Sequence, residues 1–327
     1  MKNKVCFVVP YFGNFPSYFE LFLKSCKSNK DFKWLIITDN KKDYDYPENI
    51  RKIELSFQDC KEIVQSKFDF SISLNNSKKL CDYKPAYGYI FDQYLTDFDF
   101  WGYCDIDLIF GNLSNFITDD LLNEYDRLFS LGHLSLYRNN RKINTMFMNK
   151  INGHYKYKEV YQSDMNCVFD EWYKDSINYI FSENNVPIYF ENVVADVAPY
   201  NYPFYLVYFD MENQKWINDN IKQCLFKWKN GKITGIWIDK DKIEDKEFMY
   251  VHIQKRNMIQ RIHDINTTCF YIVPNKFLQF DEKKETYYIR KYKIKTIIDY
   301  KKINNSVQQM KDRVKTKIKV ILKKVIR

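Results

Sequence analysis

Two aspartates set two apart inside an apolar, aromatic run are where this chain is best equipped for chemistry. Residues 98–113 read FDFWGYCDIDLIFGNL, which places Asp105 and Asp107 between Cys104 and Leu108. The β-branched and aromatic content predicts a buried strand. An unpaired carboxylate in such a strand is very costly, so something of opposite charge must meet these two. In an extended chain residues i and i+2 point to one face. If the chain stays extended between them, the pair converges on one hard cation. Mg²⁺ and Mn²⁺ accept such oxygen ligands and keep positions open for phosphate oxygens. A diphosphate held that way is charge-compensated and ready to leave.

Two other clusters could complete such a site. His252 lies in the apolar stretch FMYVHIQKRNM, residues 248–258, and is followed by Gln254, Lys255 and Arg256. A histidine in a strand is more often a core or edge residue, but a carboxylate pair in need of a further ligand favours His252 as the third metal ligand. Lys255, or Arg256 beside it, would then meet the leaving diphosphate. The plain alternative for these two is a solvated basic turn. Asp170 and Glu171 stand between Phe169 and Trp172. Aromatic rings pack on the apolar face of a pyranose while carboxylates accept from its hydroxyls, so this segment suits a sugar. Either carboxylate could be the general base for an acceptor hydroxyl, and the alternative is the acidic first turn of a helix. His133 and Arg138 read as structural. The chain has only eight glycines and no Walker-type, G-x-S-x-G or H-E-x-x-H motif, which points to phosphate handling by metal and basic residues.

The elements that must position these groups alternate. Val5–Val9 predicts a strand ending at Pro10, followed by a helix over 16–27, a strand over 32–38, a strand over 50–57 and a helix over 58–67. That order argues for an open, mostly parallel sheet with helices on both faces. Ligands of such sheets bind beyond the carboxyl ends of the strands. Three strand ends therefore nominate one cleft: Tyr11 or Phe12 to stack near a base, Asp39 to accept from base or ribose, and Asp105 with Asp107. The segment KLCDYKPAYGYIFDQYL, residues 79–95, predicts a helix with Asp82 as N-cap and Pro85 in its first turn. It puts Lys84 at the helix mouth, toward a ribose–phosphate. Further on, the pattern predicts a helix over 114–125 capped by Ser114, a strand over 128–137 interrupted at Gly132–His133, and a hairpin over 227–238 turning at Asn230–Gly231. A single domain is expected over 1–281.

Composition bounds the rest. The 327 residues are 45% hydrophobic and 18% aromatic, a globular chain large enough for one sizeable α/β domain or two small ones. The eight cysteines have no zinc or redox spacing and suit buried thiols in a reducing compartment. The apolar run after the N-terminal lysines stops at Pro10, too soon for a signal peptide, and no run is long enough to cross a bilayer. The last 45 residues hold 16 Lys/Arg against Glu285, Asp299 and Asp312, a local +13 within the total of +9, so the first 282 carry −4. Residues 282–327 form a basic tail. Val314, Ile318, Ile321, Leu322 and Val325 fall on one helical face of it, a pattern for an anionic membrane surface. The apolar stripe argues against a nucleic-acid arm, and no nucleic-acid partner is expected.

Taken in order, VVPYF, KPAYGYIF, WGYCDIDLIFGNL, GHLSLYRNN, FDEW and YVHIQKRNM resemble the bacterial GT-A-type, D-x-D glycosyltransferases of capsule and cell-surface polysaccharide gene clusters, over residues 1–280. The resemblance implies a GT-A-like fold, a nucleotide-sugar donor (a UDP-sugar), Mn²⁺ or Mg²⁺ on Asp105 and Asp107, and a late histidine, here His252, joining the metal. It also implies transfer, of a hexose by expectation, to a saccharide or lipid-linked saccharide acceptor; with the basic tail, the expected place is the cytoplasmic face of the cell membrane. Where several GT-A groups follow that histidine with Gly and Lys-Pro-Trp, this chain has Gln254–Lys255–Arg256, and it lacks a plain Glu-Asp pair of the kind that marks many inverting enzymes. Two rival readings are a non-catalytic carbohydrate-binding or scaffold protein on a degenerate fold, and a sugar-phosphate nucleotidyltransferase. The chain lacks the Gly-rich basic loop that the last commonly uses.

Overall fold

The computed structural model describes residues 1–171, 175–199, 204–210, 213, 215–223, 225–239 and 242–293. The chain divides into two compact units, the first Met1–Val193 and the second beginning at Val194. The site residues over 11–171 belong to the first, and His252 and Lys255 to the second.

The first unit is a mixed α/β layer structure. Its strands are β1 (Val5–Pro10), β2 (Phe32–Thr38), β3 (Ile50–Glu54), β4 (Phe100–Cys104), β5 (Leu108–Phe110), β6 (Arg127–Leu131), β7 (Leu134–Arg138) and β8 (Ile188–Tyr189). All but β5 form a seven-stranded sheet in the order β3-β2-β1-β4-β7-β6-β8. The first four run parallel, β7 is antiparallel to both neighbours, and β8 is parallel to β6. Val5–Val9, Trp34–Thr38 and Phe100–Cys104 are buried without alternation, as expected where both faces of a parallel sheet are covered. On one face Phe7 stacks on Trp34 at 5.5 Å and Phe22 of helix α1 (Phe19–Lys27) meets Phe110 at 5.8 Å. The other face buries Cys6, Val8, Leu35 and Ile37 with Tyr83, Tyr87, Tyr103, Tyr137 and Tyr161. Helix α2 (Phe57–Ser66) lays Cys60 and Val64 on that face. It starts in a capping box in which the Ser56 hydroxyl accepts from Asp59 N at 3.1 Å and Ser56 N donates to the Asp59 carboxylate at 3.1 Å.

Several sequence expectations are corrected here. The stretch around the aspartates is two strands: β4 stops at Cys104, Ile106 and Asp107 form a turn, and β5 begins at Leu108. The segment over 79–95 is a 3₁₀ helix, Ser77–Ala86, followed by the single turn Tyr87–Ile90. Asp82 caps nothing there. It is buried, and its side chain bonds Lys79 and two backbone N–H groups from a distant loop. Ser114 is no cap either: the helix there is Asp119–Glu124, capped by Thr118 Oγ1. The strand interrupted at Gly132–His133 proves to be the β6–β7 hairpin.

The second unit is mainly β. Six strands order as Lys242–Phe248, Lys232–Asp239, Leu225–Lys229, Cys269–Val273, Lys276–Gln279 and Ile259–Arg261. The Asn230–Gly231 turn has φ of 50° and 83°, the left-handed pair that a two-residue hairpin needs. Apart from this sheet, Ala195–Asp196 runs parallel to Tyr250–His252, with Asp196 opposite His252. Among the described residues no helix is long and apolar enough to cross a membrane. The tail expected as a helix over 311–327 lies outside them.

Gly102, at the centre of β4, has no room for a side chain. A Cβ there would stand 2.5 Å from Leu136 Cδ2 and 2.5 Å from the Ser135 carbonyl oxygen. Gly102→Ala should cost about 1–3 kcal/mol in urea unfolding, the usual price of overpacking a core. An unchanged midpoint would show that β4 and β7 are not packed this closely.

Candidate active site

The site grows from the carboxyl ends of β1, β2 and β4. Tyr11 follows β1 and donates its N–H to Ile37 O of β2 at 2.8 Å. Asp39 follows β2, and its Oδ1 accepts from Gly13 N at 2.7 Å, while Asn40 Nδ2 donates to Gly13 O at 3.0 Å. These bonds shape a loop whose Gly13 takes φ of 101°. Beside it lies an open cleft of about 630 Å³ lined by Gly13, Asn14, Phe15, Asp39, Asn40, Lys42 and Tyr44. The two residues expected to stack part company. Tyr11 stacks on Phe15 at 5.2 Å, whereas Phe12 turns toward α2 and packs edge-on against Phe57 at 5.4 Å.

Asp105 and Asp107 converge, though through a turn and not through an extended strand. A carboxylate oxygen of each lies within 4.8 Å of the other. Asp105 N donates to His133 O at 3.0 Å, so the β6–β7 hairpin holds the start of the turn. Burial first, then the nearby Asp107 charge, raises the Tyr11 hydroxyl, and the same two causes raise Tyr18 further. Tyr18, the residue just before α1, is thus a neighbour of this site that the sequence reading missed.

Lys84 is the centre of the arrangement. Its Nζ lies 2.7 Å from Asp105 Oδ1, 2.6 Å from Gly132 O and 3.3 Å from Asp170 Oδ2. An ammonium has three donors, and here three acceptors surround it. The Tyr103 ring also lies 5.3 Å from it. Burial works against the charge on Lys84, but Asp105, Cys81 and Asp170 outweigh it and hold the ammonium well above its ordinary value. The lysine expected to approach a ribose–phosphate instead joins the D-x-D turn to the FDEW segment.

That segment is fixed from below. Asp82 accepts from Cys167 N at 2.9 Å and Phe169 N at 3.1 Å. Lys79 pairs with Asp82 at 2.8 Å and donates to Val160 O at 2.9 Å and Met165 O at 2.5 Å. The next residue, Asp170, is buried, and burial is the main reason that its carboxyl rises from 3.8 to about 7. Lys84 opposes the rise, and Glu171 and Asp105 add to it. Glu171 lies over the hairpin turn: a Cβ on Gly132 would stand 2.4 Å from its Cγ. Trp172 lies outside the described residues.

In the second unit His252 Nδ1 is 2.8 Å from Asp196 Oδ1, both side chains buried. Lys255 is exposed. Arg256 is committed elsewhere: it is buried, donates to Ala198 O and Asn275 Oδ1, and stacks on Phe204. Of the basic pair only Lys255 is therefore placed to reach a solute.

The class so defined is a mixed α/β protein with an acidic turn and a buried lysine–carboxylate network at the carboxyl edge of a mostly parallel sheet. A family model described as a family of unknown function, DUF6625, matches residues 7–281, and the chain belongs to that family. No curated protein matches it. Among solved structures it is similar to the galactosyltransferase LgtC in complex with donor and acceptor sugar analogues, at 14% identity over 61% of this chain and 76% of that one, with a TM-score of 0.33. An active-site mutant of LgtC aligns over the same shares at 13% identity, also with a TM-score of 0.33.

Asp170 offers a direct check of this electrostatic picture. Its folded value lies above its unfolded one, so the native state holds a proton that the unfolded chain releases from about pH 4 upward. With EDTA present, the wild type should lose stability relative to Asp170→Asn as pH rises from about 4 through about 7. Melting temperatures at intervals across that range will read it. A constant difference between the two proteins would mean that Asp170 titrates as an ordinary carboxylate.

Proposed function

We propose that this chain is a metal-dependent glycosyltransferase of GT-A-like fold. It moves a sugar, a hexose in the simplest case, from a nucleotide-diphosphate donor to a saccharide or lipid-linked saccharide. The observation that carries the reading is the convergence of Asp105 and Asp107 at the carboxyl end of β4, where Lys84 joins Asp105 to Asp170. The fit to a hard divalent cation rests on the donor set. Two carboxylates with oxygens within 4.8 Å of each other suit Mn²⁺ or Mg²⁺. Lys84 takes one acceptor position on Asp105, and a carboxylate has about four, so a cation and the lysine can share it.

Asp105 and Asp107 would hold the metal, with His252 as a third ligand on the strength of the sequence pattern. When bound, the metal neutralises the diphosphate of the donor. The cleft beside Gly13 and Asp39 takes the nucleoside, with Tyr11 stacked behind Phe15 of its wall and uridine as the expected base. Phe12, seated against Phe57 on the core side, has no stacking part in this reading. Lys84 acts through the carboxylates: it fixes Asp105 toward the metal and keeps Asp170 close by. Asp170 or Glu171 positions the acceptor or deprotonates its hydroxyl. Exposed Lys255 meets the leaving diphosphate. Membrane attachment through the basic tail, and with it a place on the cytoplasmic face in surface-polysaccharide synthesis, belongs to the same reading and is supported by the charge and apolar stripe of residues 311–327.

Hydrolysis of a panel of nucleotide sugars with Mn²⁺ tests the proposal. At least one donor should be cleaved, the activity should vanish with EDTA, and Asp107→Ala should lower it by about 10²-fold or more. Hydrolysis unchanged in Asp107→Ala would remove Asp107 from the metal site.

A further inference from the structure

Asp196 belongs to no motif that the sequence singles out, yet its setting is highly specified. The backbone register places it opposite His252 on a parallel neighbour strand, and Val197 N donates to His252 O at 3.2 Å. Across that pair Asp196 Oδ1 lies 2.8 Å from His252 Nδ1. The same oxygen accepts from Gln254 Nε2 at 2.5 Å. Gln254 reaches it from a left-handed backbone conformation, φ 54°, which is unfavourable for an L residue and held here by its surroundings. Asp196 and His252 are both buried.

A carboxylate beside one imidazole nitrogen dictates which nitrogen carries the proton. Asp196 accepts, so Nδ1 of a neutral His252 must donate, and the ring lone pair then resides on Nε2. An isolated neutral imidazole in water prefers the opposite tautomer. A histidine that ligates a metal through Nε2 is typically oriented in this way by a carboxylate on its other nitrogen, which also raises its basicity. Gln254 fixes the carboxylate in turn, so the ring has little rotational freedom.

We propose that Asp196 is a positioning residue that presets His252 for Nε2 ligation of a divalent cation, with Gln254 holding Asp196 in place. The inference rests on the reading of His252 as a metal ligand, and the experiment separates the two. Mn²⁺ is titrated calorimetrically into the full-length wild type, Asp196→Ala, Asp196→Asn and His252→Ala. In parallel, ¹⁵N-correlated NMR of the metal-free protein, which has four histidines, reads the His252 tautomer.

The wild type should show His252 protonated on Nδ1. Asp196→Ala should weaken Mn²⁺ by about 10–100-fold, the usual effect of removing such a partner, and shift His252 toward the Nε2–H form. Asp196→Asn keeps an oxygen acceptor and should recover part of the affinity. An Nε2–H tautomer in the wild type overturns the proposal without any variant. Unchanged Mn²⁺ affinity in Asp196→Ala, with His252→Ala weakened, overturns it while leaving His252 as a ligand. Unchanged affinity in His252→Ala removes the ligand reading itself, and the proposal with it.

Discussion

A single buried ammonium holds the candidate site together. Two carboxylates, Asp105 and Asp170, come from segments 65 residues apart in the chain, and both reach Lys84 Nζ. Without the lysine they would be like charges in a poorly solvated pocket, and one would have to take up a proton or move away. With it, the two share one counter-charge: Asp105 stays close to Asp107, and Lys84 opposes the rise that burial imposes on Asp170. The lysine is itself steered by Gly132 O, a backbone group that cannot rotate away. The hairpin turn therefore does two things at once: Gly132 O receives the lysine and His133 O receives the backbone of the D-x-D turn.

This dependence explains otherwise odd features of the core. The 3₁₀ segment Ser77–Ala86 carries two lysines inward, and each has a carboxylate partner: Lys79 with Asp82, Lys84 with Asp105 and Asp170. The first pair pins the loop over 165–169, which delivers Asp170 to the second. Breaking a buried pair of this kind by removing one partner costs on the order of 3–5 kcal/mol, because the other charge stays buried. Aromatic rings pack beside these pairs, Tyr83 stacked on Tyr161 at 4.1 Å and Tyr103 beside Lys84.

Much of the scaffold was legible in the sequence. The alternation of strands and helices through residue 67, the Gly132–His133 break and the Asn230–Gly231 turn all follow from local patterns, and each has its counterpart in the structure. The D-x-D residues stood out because carboxylates are rare in an aromatic run. Their turn was hidden, since the apolar residues on both sides are equally buried and periodicity does not separate one long strand from two short ones. The partnerships were hidden for another reason. Nothing near Lys84 in sequence says that it meets Asp170, and nothing near His252 says that it meets Asp196; both are set by tertiary contacts. Asp82 misled because a helix N-cap and a buried acceptor of two distant N–H groups call for the same residue. The division at Val193 left no linker of Gly, Pro or Ser to mark it.

The central claim is that the Asp105–Asp107 turn binds a nucleoside diphosphate through a divalent cation. Calorimetric titration of UDP into the protein, with and without Mn²⁺, tests it most directly. The account predicts saturable binding with Mn²⁺ that disappears in EDTA and in Asp105→Ala. UDP binding of equal strength without metal, or no binding with it for UDP or any other nucleoside diphosphate, would contradict it.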